Sequence, residues 1–118
     1  MDLVSIGKLI DQFSSDRDWE QFHSPRNLIL AIVGEVGELA ELVQWVPDSS
    51  IGELLSDQHF KKQLEEELAD VIIYALRLAS VCEINTEEAV LSKINQNAEK
   101  YPIEKAMGRS EKYNQLEK

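Results

Sequence analysis

Cysteine, glycine, proline and positive charge are all scarce in this chain of 118 residues, and each scarcity excludes a class of protein. The single cysteine, Cys82, cannot form an intrachain disulfide, which excludes a small disulfide-stapled secreted domain. Its place in an apolar run predicts a buried thiol of a reducing compartment, and hence a cytoplasmic protein. Five glycines and three prolines exclude collagen-like and low-complexity sequences, so the length fits one globular domain.

The chain also lacks a long apolar run and an excess of basic residues. No apolar run is longer than Val71–Leu76, which is far short of the ~20 residues that a membrane span requires. Met1–Ser5 has neither the basic start nor the apolar stretch of a signal peptide. With 12 Lys+Arg against 22 Asp+Glu the formal charge is −10, which opposes binding to polynucleotides or anionic membranes. Excess carboxylates do suit a bound divalent cation.

The periodicity predicts four helices and no strand, and therefore an all-α fold. The predicted helices cover about Leu3 to Phe13, Pro25 to Trp45 after the cap Ser24, Gln58 to Cys82, and Glu87 to Tyr101 after the cap Thr86. The polar stretch 14–23 is expected to connect the first two helices, and 47–57 to be loop-like with one turn around Ile51 to Leu55. Residues 103–118 are expected to form a loosely structured polar tail of a single domain spanning 1–118.

The third predicted helix is apolar on all sides in its second half, Val71 to Ala79. Three other short helices can scarcely cover such a helix. We therefore expect a four-helix-bundle-type fold that is completed by a second copy of the chain, most simply as a two-fold dimer.

Acidic residues occur on the apolar faces of the two long helices. On a helical wheel Glu35 falls in the middle of the apolar stripe with Glu38 at its edge, and Glu67 and Asp70 repeat that arrangement. A lone buried carboxylate is destabilising by several kcal/mol unless a cation compensates it. Ordinary solvated faces with i, i+4 ion pairs are the alternative, but no cation lies one turn from Glu35. The quartet predicts a metal site.

An all-oxygen ligand set favours Mg²⁺ or Mn²⁺ over Zn²⁺. A di-iron carboxylate site would require Glu-x-x-His pairs, and His23 and His59 lack that spacing. Because Mg²⁺ in proteins usually keeps waters and meets a substrate phosphate, a phosphorylated small molecule is the expected ligand.

Basic and aromatic residues supply further candidates for binding that molecule. Residues 1–92 hold six Lys+Arg and 18 Asp+Glu, whereas 93–118 hold six and four. Lys93, Asn97 and Lys100 share one helical face and could contact phosphate oxygens, or could form a merely solvated stripe. Trp19, Trp45 and Tyr74 could stack on a base or belong to the core.

The motif Glu35-Val36-Gly37-Glu38 is followed, after 28 residues, by Glu67-Leu68-Ala69-Asp70. This pattern resembles the E-x-x-E…E-x-x-D signature of the MazG-like all-α nucleoside triphosphate pyrophosphohydrolases. The segments 17–27 and 34–45 resemble the dCTP pyrophosphatase branch, and the similarity continues through 66–74, Ser92-Lys93, Asn97, 100–102 and Lys112-Tyr113. It covers nearly the whole chain. Where that branch carries a histidine on the first helix, this chain has Ile10.

The resemblance implies hydrolysis of a nucleoside triphosphate, such as dCTP or a modified deoxynucleotide, to a monophosphate and pyrophosphate, as a house-cleaning activity on the nucleotide pool. It implies Mg²⁺ on the quartet, an oriented water as nucleophile, and a quartet member, Glu41 or Glu66 as proton acceptor. It further implies an active dimer or dimer of dimers. The implied substrate-binding residues are Trp19, His23, Trp45, Tyr74, Lys93, Asn97 and Lys100.

Two alternatives remain at this point. The same fold could act on another phosphorylated nucleotide, such as dUTP or a phosphoribosyl nucleotide. The chain could also be a non-catalytic helical subunit that binds a partner, although the intact quartet opposes this reading.

Overall fold

The computed structural model describes residues 1–116, and this part of the chain contains helices and no strand, as predicted. The α-helices are α1 (Leu3–Asp16), α2 (Pro25–Glu41), α3 (Asp48–Leu54), α4 (Gln58–Val81), α5 (Thr86–Lys100) and α6 (Ile103–Ala106). Short 3₁₀ turns lie at Glu20–Phe22 and Tyr113–Gln115. The fold is all-α.

The backbone forms two compact units, of which the first is Met1–Ile84. Within it, α4 packs against α2 and against α1. The apolar side chains that are buried in the described part of the chain are Leu28 on α2 and Phe60 and Leu76 on α4. The two helices that carry the acidic pairs are therefore direct neighbours.

Side-chain caps determine where the helices of this unit begin. Ser24 accepts a hydrogen bond from the Asn27 amide at 3.1 Å, and Pro25 follows as the first residue of α2, as the sequence predicts. Asp57 accepts one from the His59 amide at 2.9 Å and caps α4. These caps satisfy amides that have no partner within the helix.

Two helices end in a left-handed residue that is not glycine. Asp18 has φ 54° after α1 and Glu83 has φ 56° after α4. At the end of α4 the amide of Ile84 donates to the Ala79 carbonyl at 2.8 Å, while that of Glu83 donates to Ser80 at 3.1 Å. This pair of bonds is a Schellman motif, and the amides of Asp18 and Trp19 make the equivalent pair after α1.

The second unit begins at Asn85 and contains α5 and α6. Asn85 caps α5 by accepting from the Glu88 amide at 3.0 Å. At the C-terminal end of α5 the ring of Tyr101 meets that of Tyr113 edge to face, with 6.3 Å between the ring centroids. The Tyr101 hydroxyl accepts a hydrogen bond from the Tyr113 amide at 3.2 Å. These contacts tie residues after α6 back to α5.

Several predicted boundaries are wrong, each for a local physical reason. The expected loop 47–57 contains α3, since Pro47 precedes a seven-residue stretch with no helix breaker except Gly52. Helix α1 continues to Asp16, whereas α2 ends at Glu41, before Trp45. The cap of α5 is Asn85 rather than Thr86, which is the first residue of the helix. The expected polar tail contains α6 and a 3₁₀ turn, and residues 117–118 lie outside the described part.

Cys82 is exposed, so the prediction of a buried thiol is wrong. Because α4 ends at Val81, Cys82 lies in the terminating turn rather than on the packed part of the helix. Among the described residues, the helices are all too short or too polar to cross a bilayer. The cytoplasmic location remains a prediction.

Candidate active site

The two acidic pairs meet where α2 and α4 pack together. Carboxylate oxygens of Glu35, Glu38 and Glu67 all lie within 4.8 Å of one another. Asp70, one helical turn beyond Glu67, is close enough for its charge to act on both Glu35 and Glu67. The structure thus gathers three of the four predicted ligands into one group and sets the fourth beside it.

The two central carboxylates are the ones that the helical wheel placed on the apolar face. Glu35 and Glu67 are partly buried, while Glu38 is exposed. One oxygen of each central residue, Oε2, is shielded from solvent and has no hydrogen-bond partner among the described residues. A shielded carboxylate oxygen without a partner is destabilising, and either a bound proton or a cation would relieve that penalty.

The proton affinities of these groups reflect the same crowding. Burial, followed by the neighbouring Glu38 carboxyl and the charges of Asp70 and Glu67, raises the pKa of Glu35 to about 7. Burial and the Glu38 carboxyl likewise raise the pKa of Glu67. Like charges at this spacing disfavour full ionisation unless a cation is added.

The donor set fits a divalent cation of the Mg²⁺ type. It consists of carboxylate oxygens alone, two of which are shielded and without a hydrogen-bond partner in the described part of the chain. Hard oxygen ligands of this kind are those that Mg²⁺ and Mn²⁺ prefer.

Two predicted nucleotide-binding residues form an aromatic cluster beside α1. The ring of Trp19 meets that of Phe13 edge to face at 5.6 Å and that of His23 at 6.3 Å. Trp19 reaches Phe13 because the left-handed conformation of Asp18 reverses the chain after α1. Trp19 is 42% exposed and His23 is partly buried, so an aromatic surface remains open beside the imidazole.

The remaining predicted binding residues lie elsewhere in the two units. Tyr74 is partly buried on α4, one turn beyond Asp70, and Trp45 is 87% exposed after α2. Lys93, Asn97 and Lys100 are exposed on α5, in the second unit. Within that unit the Lys100 ammonium lies 4.9 Å from the ring centroid of Tyr113.

A partly buried polar network around Arg77 was not predicted from the sequence. Arg77 Nη1 donates to Asp11 Oδ1 at 2.8 Å, and the Ser80 hydroxyl donates to Asp11 Oδ2 at 2.5 Å. Arg77 Nε donates to His23 Nδ1 at 3.0 Å. A single cation within the otherwise apolar half of α4 was the available signal, but its partners lie 54 and 66 residues away in the chain.

These features define an all-α protein with an acidic site between two neighbouring helices. The MazG-like family matches residues 30–116, and the chain belongs to that family. It is similar to dCTP pyrophosphatase 1 of Bos taurus, with 46% identity over 97% of this chain and 68% of the relative. The same enzyme of Homo sapiens is 48% identical over 97% of this chain and 67% of the relative.

A solved structure shows the same architecture. A pyrophosphatase from Archaeoglobus fulgidus superimposes with a TM-score of 0.77 and 40% identity, covering 83% of this chain and 90% of its own. The predicted family and all-α fold are confirmed, and the chain is a nucleoside triphosphate pyrophosphohydrolase. The alternative of a non-catalytic helical subunit is not supported.

Proposed function

We propose that the chain hydrolyses deoxynucleoside triphosphates between the α and β phosphates in a Mg²⁺-dependent reaction, with dCTP or a modified relative as substrate. The products are a nucleoside monophosphate and pyrophosphate, as expected of an enzyme that cleans the nucleotide pool. The observation that carries this proposal is the cluster of carboxylate side chains from α2 and α4. Two oxygens of this cluster are shielded from solvent and have no hydrogen-bond partner among residues 1–116. The similarity to dCTP pyrophosphatase 1 supports the choice of nucleotide.

Glu35, Glu38, Glu67 and Asp70 are the proposed metal ligands. When bound, Mg²⁺ neutralises triphosphate charge and polarises the attacked phosphorus. The chain's own residues bind and orient the substrate and accept a proton from the attacking water. A member of the quartet, Glu41 or Glu66 is the proposed acceptor, and Glu38, Glu41 and Glu66 are all exposed to solvent.

The proposed nucleotide-binding residues fall into two chemical groups. Lys93, Asn97 and Lys100 offer ammonium and amide groups for phosphate or sugar oxygens. Trp19, His23, Trp45 and Tyr74 offer aromatic faces and hydrogen bonds to the base and sugar. These roles rest on the family resemblance, and the contact between Trp19 and His23 supports placing both in one pocket.

The main alternative concerns the substrate rather than the reaction class. Ile10 occupies the position where the dCTP-specific branch carries a histidine. The apolar side chain of Ile10 cannot make the hydrogen bond that a histidine offers there. The site could then accept dUTP, or a phosphoribosyl nucleotide, in place of dCTP.

We also propose a homo-oligomer, a dimer or a dimer of dimers, in which residues 1–118 act as one domain. The match to the MazG-like family spans both compact units, which supports a single domain. Large apolar side chains are exposed on every long helix, which supports association. On α4 these include Leu68, Ile72 and Ile73.

A substrate panel tests the proposed reaction. Purified protein with Mg²⁺ is given each nucleoside triphosphate, its deoxy form and a phosphoribosyl nucleotide, and the release of pyrophosphate and orthophosphate is measured separately. We expect pyrophosphate as the first product, with dCTP or a modified cytosine nucleotide hydrolysed with the highest kcat/KM. Orthophosphate as the first product would contradict cleavage between the α and β phosphates, and a preference for dUTP would support the alternative substrate.

A further inference from the structure

Arg77 is a buried cation with two hydrogen-bond partners in the first unit, Asp11 on α1 and His23 just before α2. Its side chain is 9% exposed, although it lies in the apolar half of α4. Asp11 on α1 balances the charge at 2.8 Å, and Ser80 in turn holds the second oxygen of Asp11. A buried charge that is paired and hydrogen-bonded on both sides is held in one orientation. The guanidinium therefore has a defined direction toward His23.

The contact with His23 determines which imidazole nitrogen carries the proton. A guanidinium only donates hydrogen bonds and does not lose its charge, so His23 Nδ1, at 3.0 Å from Arg77 Nε, must be the acceptor. An accepting Nδ1 carries no proton, so the ring is neutral and its proton is on Nε2. Burial, followed by the charge of Arg77, lowers the pKa of His23, which agrees with a neutral ring.

We propose that Arg77 is a positioning residue for base recognition, because it holds His23 in the Nε2–H tautomer and so makes it a neutral hydrogen-bond donor. This inference rests on the proposed function, in which His23 belongs to the nucleotide pocket. The donor suits a base carbonyl or an unprotonated ring nitrogen. The Trp19 ring against His23 favours a base over a phosphate as its partner, since an aromatic face suits stacking.

The tautomer is directly measurable by ¹⁵N NMR of the unmodified protein. The chain has only two histidines, so a His59→Gln variant assigns the His23 signals. At neutral pH we expect an unprotonated Nδ1 and a protonated Nε2 for His23. In Arg77→Met the two shifts should move toward the averaged values of a freely exchanging ring. A protonated Nδ1 in the unmodified protein would overturn the proposal, and this measurement needs no variant of Arg77 to fold.

A double-mutant cycle tests the effect on recognition. Arg77→Met and His23→Phe should each raise KM for the preferred nucleotide about tenfold, as expected for one lost hydrogen bond, with a much smaller change in kcat. Because Arg77 acts through His23, the double variant should be no worse than His23→Phe alone. Lys62→Met, which removes an exposed cation of the same helix, is the control.

The outcomes separate this proposal from the proposed function. Independent, multiplicative effects of Arg77→Met and His23→Phe on KM, in variants with unchanged circular dichroism, would overturn the positioning role alone. A failure of the unmodified protein to turn over any nucleotide would overturn both the proposed function and the role of His23 in recognition.

Discussion

Glu35 is a side chain that lowers the stability of the fold and is also a proposed metal ligand. One of its oxygens is shielded from solvent, has no hydrogen-bond partner in the described part of the chain, and faces three other acids. Such a group persists only where a proton or a cation compensates it, because an unpaired buried carboxylate is destabilising. Residues at functional sites often break local rules in this way.

Glu35→Gln should abolish Mg²⁺-dependent hydrolysis while leaving the helical content unchanged. The amide keeps the shape of the side chain but lacks the charge that a divalent cation requires, so we expect kcat/KM to fall about 100-fold or more. Glu65→Gln is the matched control, since Glu65 is exposed on α4 and its ion-pair partner in the described part of the chain is Lys62, at 3.7 Å. Unchanged activity of Glu35→Gln in a pyrophosphate-release assay would refute the metal assignment.

The raised pKa of Glu35 predicts an unusual pH dependence of stability in metal-free protein. The folded state holds this proton up to about pH 7, whereas an ordinary Glu releases it near 4.5. Folded protein therefore binds more protons than unfolded protein in this window, and the free energy of unfolding falls as pH rises through it. Urea unfolding in EDTA should show a steeper decline for the unmodified protein than for Glu35→Gln. Equal slopes would contradict the shift.

At this scale the sequence predicts the acids well and the arginine network poorly. A helical wheel identifies Glu35 and Glu67 because each is an acidic residue within the apolar stripe of its own helix, which is a local signal. The role of Arg77 depends on its contacts with Asp11 and His23, which are far away in the chain and so could not be predicted from the local sequence. Only the packing of α1 on α4 brings these groups together.

At the level of elements, two Schellman motifs place acidic residues where glycine is favoured. Asp18 and Glu83 adopt the left-handed conformation, which strains a residue that has a Cβ atom. Glu83 also places a negative charge at the C-terminal end of α4, where the helix dipole is negative. The end of α4 is therefore less stable than it could be.

Glu83→Gly should stabilise the protein by up to about 1 kcal/mol, because glycine adopts a positive φ without strain. Thermal unfolding by circular dichroism measures the gain. Glu83→Ala removes the same charge but keeps the Cβ atom, so it should give a clearly smaller increase in Tm. If the two variants were equally stabilised, the effect would come from charge rather than from backbone strain.

The structure shows which elements the sequence predicts reliably. Helices α1, α2, α4 and α5 are found close to their predicted positions, because periodicity over many residues and caps such as Ser24 are strong signals. The short helix α3 was predicted only as one turn around Ile51 to Leu55, since seven residues are too few for a periodic pattern to emerge.

For the whole molecule, the described residues bury few large apolar side chains and expose many. Leu28 is 1% exposed, whereas Ile72 on α4 and Val33 on α2 are 46% and 64% exposed. A monomer rarely leaves so much apolar surface on its main helices, so this surface favours association.

Ile72→Glu should therefore weaken assembly. The unmodified protein is expected to have a molar mass at least twice the 13.4 kDa of one chain in light scattering. A charge within an apolar interface should shift the variant toward a single chain and reduce its activity. Gln63→Glu adds the same charge at an exposed polar position of α4 and should leave the mass unchanged. A monomeric unmodified protein would contradict the proposed oligomer.

The clustering of acidic residues from α2 and α4 also affects how resistant the protein is to unfolding and to proteolysis. A divalent cation held by the quartet would act as a reversible cross-link between these two helices, so the free concentration of that cation would set the resistance of the fold to unfolding. Chelation would then do more than stop turnover. It would leave the charges of the four acids uncompensated, so that they would repel one another and the helix pair would become more accessible to proteases. The supply of the ion would then control both the rate of hydrolysis and the lifetime of the folded protein.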